Sequence, residues 1–160
     1  MSEDYERYLA SWKRLHSGVD PRSNVWLRGY VYVVFVISRF LNVFKISPNV
    51  FTVISGVAIG LGLFASLYQQ NIVAVALIAF IGLLLDGVDG ALAILQDKAS
   101  KFGAVLDSVN DRVQESLLYI SMSWILFTRG YSLWMATALL LSLTATLLLE
   151  YARSRANMLI

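Results

Sequence analysis

The chain has no cysteine and a single histidine, His16, among its 160 residues. No disulfide framework and no thiolate ligand or nucleophile is therefore available. A histidine-based triad within the apolar region is excluded too, because His16 falls in the polar N-terminal segment. Charge is also scarce, at 15% of residues, whereas hydrophobic residues make up 58% and the mean hydropathy is +0.64. That composition belongs to a membrane protein of one domain rather than a soluble one. The net charge of +2 is small, and no nucleic-acid partner is expected. The opening residues lack the apolar core and small-residue cleavage site of a secretory signal.

Against this background the stretch 86–111 stands out. It carries Asp86 and Asp89 in its first half and Asp107 and Asp111 in its second, with apolar runs on both sides. Ionised Asp is costly at membrane depth, so four of them require a physical reason. Asp86, Asp89 and Gly90 are related by i, i+3 and i+4 and share one helix face. Gly103, Asp107 and Asp111 are successive i+4 neighbours on a second helix. A polar elbow, 96–101, lets the two faces meet. Facing carboxylates without partners would repel and raise one another's pKa, a conflict that divalent cations remove. Oxygen donors without Cys or His nearby favour Mg²⁺, Mn²⁺ or Ca²⁺ over zinc. Gly90 and Gly103 leave room for a bulky group near the backbone.

This pattern resembles the signature of the CDP-alcohol phosphotransferase family: Asp, two residues, Asp-Gly, two residues, Ala-Arg, a gap, Gly, three residues, Asp, three residues, Asp. The matching positions are Asp86, Asp89, Gly90, Ala93, Gly103, Asp107 and Asp111. Where the family has Arg after Ala, this chain has Ile94. The family Arg helps hold the nucleotide diphosphate, and Lys98 or Lys101 could supply that charge here. The resemblance covers about residues 47–156. It implies transfer of a phosphatidyl-type group from a CDP-linked lipid, such as CDP-diacylglycerol, to an alcohol acceptor, with release of CMP. It also implies two Mg²⁺ or Mn²⁺ ions on Asp86, Asp89, Asp107 and Asp111. The last of these either shares a metal or takes the hydroxyl proton, and the family assigns it the role of base. Ser100 matches a family position near the nucleotide, and Asn49 and Thr52 fall in an element that lines the nucleotide pocket.

The rest of the chain is read in order. Residues 1–24 form a polar segment with apolar residues at helical period, either a solvated tail or a membrane-surface helix. Residues 25–46 hold an apolar core bracketed by Arg28 and Arg39, short for a crossing of about 20 residues. A juxtamembrane interfacial helix is expected there, as in the family, with Trp26, Tyr30 and Tyr32 at headgroup level. The domain proper is 47–160. Four spans are expected, at about 47–68, 72–95, 102–127 and 133–151. Ser47 and Pro48 start the first, and Gly56 with Gly60 forms a close-packing stripe on it. Asp86 lies roughly 15 Å from the end of the second span at helical rise, below the surface. Arg112 and Glu115 are spaced to pair with each other.

Near the end, the element Glu150-Tyr151-Ala152-Arg153-Ser154-Arg155-Ala156 has two readings. One is anchoring at the membrane edge. The other comes by resemblance to phosphatidylinositol-phosphate synthases, in which Arg153 and Arg155 would bind the acceptor's phosphate and Glu150 would pair with one of them. The expected fold is an all-α integral membrane protein with at least four transmembrane helices plus an N-terminal interfacial amphipathic helix. Family members have six spans, so the last two are expected to be missing here, and a homodimer is expected by resemblance. The positive-inside rule puts the basic side and the site at the cytoplasmic face of the cell membrane. The competing readings are a catalytically weak CDP-lipid-binding relative or scaffold and, less well matched, a cation transporter.

Overall fold

The computed structural model describes residues 3–15, 18–130 and 132–157. His16 lies outside them. Among the described residues there are no strands. The helices are α1 (Glu3–Leu15), α2 (Val25–Asn42), α3 (Pro48–Tyr68), α4 (Ile72–Leu95), α5 (Lys101–Thr128) and α6 (Leu133–Asn157), with a 3-10 turn at Pro21–Ser23. Pro48 is the first residue of α3, where its missing N–H costs nothing. Asn24 caps α2 by accepting the Trp26 N–H at 2.9 Å. Asn71 caps α4 by accepting the Val73 and Ala74 N–H groups, both at 3.1 Å.

Among the described residues, three helices are long and apolar enough to cross a membrane by length and composition: Pro48–Tyr68, Ile72–Leu95 and Leu133–Ser154. The fourth stretch expected to span, 102–127, is helical within the 28 residues of α5, but α5 does not meet that measure of apolarity. Its composition is less apolar because Asp107, Asp111, Arg112 and Glu115 lie on it.

Residues form two compact units. The first comprises 1–56 and 81–110. Its core joins Tyr5, Tyr8 and Leu9 of α1 to Val31, Val34 and Phe35 of α2 and to Val88, Ala91 and Leu92 of α4. The 5, 8, 9 spacing puts one face of α1 on its neighbours, with the Tyr5 and Tyr8 rings tilted against Phe35 at 4.9 and 5.2 Å between ring centres. Residues 3–15 are thus a packed helix rather than a solvated tail. Acidic Glu3, Asp4 and Glu6 in its first turn and basic Lys13 and Arg14 in its last complement the helix dipole. Ion pairs of Arg22 with Glu6 and of Arg39 with Asp4 add ties along its surface. Burial pushes the Tyr8 phenol well above its ordinary range, so it stays neutral at any working pH.

Between α2 and α4 the contacts advance together. The Tyr30 hydroxyl donates to the Leu83 carbonyl at 3.2 Å, Val34 packs beside Gly87, and the Ser38 hydroxyl sits 3.2 Å from the Val88 carbonyl. The two helices therefore run in the same sense where they touch. A Cβ on Gly87 would collide with the Tyr30 hydroxyl, so glycine is required for this approach. Gly56 serves α3 in the same way, because a Cβ there would overlap the Asn110 side chain on α5.

The second unit comprises 57–80 and 111–160. Ile59, Leu63, Val75 and Ile125 are buried in it. Gly60 faces Leu117, which a Cβ would approach to 3.3 Å, so the expected stripe of Gly56 and Gly60 does sit at helix contacts. Arg129 donates to the Gln70 carbonyl at 2.6 Å, linking two turns. Arg112 pairs with Glu115 as their spacing suggested. Only 6% of the most apolar stretch of α6 is buried, and Leu141, Leu148 and Leu149 face outward. Such an apolar exterior suits hydrocarbon, not water.

Candidate active site

The site in the first unit is built where α4 ends, the elbow turns and α5 begins. Helix α4 stops at Leu95 in a left-handed turn, with Asp97 at φ 51°. The Lys98 N–H reaches back to the Ala93 carbonyl at 2.9 Å, which satisfies an otherwise open helix end. Gln96 ties the elbow to the link before α3 by donating from Nε2 to the Ile46 carbonyl at 2.8 Å. Ser100 then opens α5 as its N-cap, its hydroxyl accepting the Gly103 N–H at 3.0 Å. The sequence reading of Ser100 did not include this capping role, although its position before an amphipathic run was the available signal.

A cavity of about 460 Å³ lies here. All six positions read as nucleotide or substrate contacts, Asn49, Thr52, Gly90, Ser100, Lys101 and Gly103, line it. Asp89 and Asp107 form its acidic wall, Lys98 and Lys101 its basic one, and Ile94 lies on it as well. Gly90 has no atom within 4 Å of where a Cβ would stand, so the cavity reaches the backbone there. At Gly103 the same Cβ would come within 3.0 Å of the Asn49 side-chain oxygen. Glycine at 103 therefore allows α5 to approach the start of α3 this closely.

The carboxylates divide into two roles. Asp86 and Asp107 each offer an oxygen, and these atoms lie within 4.8 Å of each other. Both side chains are half-buried, and Asp111, also half-buried, follows Asp107 by one turn of α5. Asp89 is 5% exposed and is held differently. The Thr52 hydroxyl lies 2.6 Å from its Oδ2 and 3.1 Å from the Pro48 carbonyl. A hydroxyl has one proton, and the shorter, charge-assisted contact is where it goes. The Gly90 N–H donates to the other oxygen of Asp89 at 2.7 Å. Geometry thus joins Asp86 with Asp107 and gives Asp89 to Thr52.

Oxygen donors from two helices, drawn this close without Cys or His, suit a hard divalent cation. Close carboxylates gain from such an ion because their mutual repulsion is removed. Of the residues read as acceptor-binding, Arg153 pairs with Glu150 at 3.3 Å on α6. The Arg155 side chain lies outside the described residues.

Comparison with known proteins identifies the family. The family model described as CDP-alcohol phosphatidyltransferase matches residues 45–159. An archaetidylinositol phosphate synthase of Pyrococcus horikoshii is 34% identical over 122 residues, 76% of this chain and 61% of that protein. A protein of the same name from Aeropyrum pernix is 38% identical over 86 residues, 54% of this chain and 44% of the relative. A phosphatidylinositol phosphate synthase of Corynebacterium glutamicum is 25% identical over 125 residues, 77% of this chain and 57% of the relative. The chain spans about half the length of the curated relatives it matches. No solved structure matches it.

Proposed function

The chain belongs to the CDP-alcohol phosphatidyltransferase family, and on that premise we propose that it transfers a phosphatidyl-type group from a CDP-linked lipid to a phosphorylated alcohol, releasing CMP. The acceptor class is suggested by relatives named as inositol phosphate synthases. The observation that carries this reading is the approach of Asp86 and Asp107 from two helices, within 4.8 Å, beside a cavity of about 460 Å³.

Asp86 and Asp107 would hold divalent metal, with Asp111 and Asp89 completing the acidic set. When bound, Mg²⁺ or Mn²⁺ supplies charge neutralisation and polarisation at phosphorus. The chain's own residues do the rest. Lys98 and Lys101 line the same cavity as Asp89 and Asp107 and would attract the diphosphate as point charges. They take the part for which Ile94 has no charge. Gly90 admits the nucleotide to the backbone, and Asn49 and Thr52 border it. Thr52 also fixes the rotamer of Asp89 through the 2.6 Å bond.

In the transfer, the acceptor hydroxyl oxygen bonds to the lipid-side phosphorus. The bond from that phosphorus to the bridging oxygen breaks, and its electron pair leaves with CMP. The hydroxyl proton passes to the Asp111 carboxylate. Arg153 and Arg155 would take the acceptor's phosphate, as the bidentate geometry of guanidinium favours. The Lys and Arg residues of the N-terminal segment, the elbow and the C-terminal segment support a cytoplasmic site in the cell membrane, and the family resemblance supports a homodimer.

The test is CMP release from CDP-diacylglycerol and CDP-archaeol with inositol phosphate, glycerol phosphate or serine as acceptor. Mg²⁺-dependent release that Asp107→Asn abolishes is the expected result. Binding of the CDP-lipid without release, with every acceptor, would establish a second reading: a binding relative without turnover. Ile94 on the cavity wall is the observation that favours it.

A further inference from the structure

On the far side of α4 from the acidic cavity, α1 and α2 enclose a groove that the transfer reaction does not use. Two cavities, of about 470 and 310 Å³, share Phe35, Arg39 and Val43 as walls. They are two compartments of one groove with Arg39 at the junction. The compartments differ in chemistry. The first is bounded by Tyr5, Tyr32, Val36 and Phe40 besides the shared residues. The second carries Arg7, Ser11, Asn42 and one acid, Asp4. Ile94 lines both this second compartment and the acidic cavity, so α4 forms the partition.

We propose that this groove binds one anionic phospholipid, with its phosphate between Arg39 and Arg7 and an acyl chain along Val36, Phe40 and Val43. Three observations lead there. An apolar compartment joined to a cationic one is complementary to an amphiphile with a negative head, and each volume is within the range of ligand pockets. Phe40 is 65% exposed and Val43 76% exposed, so the apolar wall continues outward, where a bilayer chain would run. Both arginines also form ion pairs that are open to solvent. Arg39 meets Asp4 at 3.6 Å with both side chains more than half exposed, and Arg7 meets Asp97 at 3.1 Å with both 77% exposed. Such pairs contribute little in water, whereas guanidinium binds phosphate oxygens bidentately. A phosphate therefore displaces the carboxylates readily.

The test uses the full chain in neutral detergent, offered equimolar phosphatidylglycerol and phosphatidylcholine, with retained lipid counted by native mass spectrometry. The protein is expected to favour phosphatidylglycerol by about tenfold, the scale of one charge-assisted hydrogen bond. Arg39→Gln should bring the two lipids to parity. Asp4→Asn, which removes the competing carboxylate, should retain more phosphatidylglycerol than the wild type, a gain that misfolding cannot produce. Asp107→Asn should leave the preference intact, which separates this groove from the reaction cavity. Preference unchanged in Arg39→Gln, or reduced in Asp4→Asn, would overturn the proposal. So would displacement of the lipid by an equal concentration of inorganic phosphate, since the acyl chain would then contribute nothing.

Discussion

Thr52 on α3 donates its hydroxyl proton to Asp89 on α4 across 2.6 Å, and both residues are buried. A neutral donor holds one of the family's acidic residues while Asp86 and Asp107 face each other. Replacing Thr52 by Val keeps the volume and deletes the donor. The buried carboxylate then loses a charge-assisted bond, at a cost of about 1–3 kcal/mol. Thermal denaturation in detergent should show that loss for Thr52→Val and recovery of most of it for Thr52→Ser. Equal stability of the Val and Ser variants would mean that the bond contributes nothing.

Asp86 and Asp107 generate a second expectation. Without metal they repel, so Asp107→Asn should melt no lower than wild type in chelator, and higher if the repulsion is substantial. With Mg²⁺ at 100-fold its Kd, the wild type should gain about 2.7 kcal/mol by linkage. The variant should gain less than half of that. Melting curves with and without Mg²⁺ read both halves at once, with no substrate present.

Gly87 and Tyr30 form a steric pair, because a Cβ at 87 would collide with the Tyr30 hydroxyl. Gly87→Ala should destabilise by about 1–3 kcal/mol through overpacking. Tyr30→Phe removes the obstructing oxygen along with its bond to Leu83. The double variant should therefore be more stable than the sum of the two single losses. A strictly additive cycle would place the origin of the loss elsewhere.

Gln70 ends the turn after α3 with φ 53°, and it is not glycine. A left-handed residue with a side chain costs roughly 1–2 kcal/mol relative to glycine in that conformation. Gln70→Gly should raise stability by about 1 kcal/mol after the added chain entropy of glycine is subtracted. A lower melting temperature would show that the Gln70 side chain makes a compensating contact.

Asp20 gives a pH signature outside the membrane segments. Its carboxylate accepts the Arg22 N–H at 2.9 Å. That backbone bond holds its pKa below the ordinary carboxylate value, with Lys13 assisting. A depressed folded-state pKa means stabilisation that is complete above the unfolded value, about 4. It is lost as pH falls through the folded-state value. The stability difference between wild type and Asp20→Ala should therefore be constant from pH 7 to pH 5 and shrink below pH 4. A difference that grew on acidification would contradict the assignment.

Much of the candidate site was legible along the chain. The i, i+3 and i+4 relations of Asp86, Asp89 and Gly90, and of Gly103, Asp107 and Asp111, hold within single helices, where 3.6 residues per turn dictates which side chains share a face. The helix limits were legible for a similar reason. Apolar runs of spanning length and Pro48 at an N-terminus act within a few residues of themselves. Arg112 with Glu115 and Arg153 with Glu150 are pairs of the same local kind.

Other relationships could not be read that way. That Asp107 meets Asp86 while Asp89 turns to Thr52 depends on how α3, α4 and α5 cross, and no periodicity within one helix encodes that. The same holds for Gly87, whose need for glycine appears only once Tyr30 is brought against it, and for α1, whose tyrosines could equally have faced lipid. Local hydrogen bonding and hydrophobic period set the helices and the faces they offer. Which faces meet is settled by side-chain volumes packing at helix contacts, a property of the assembled chain.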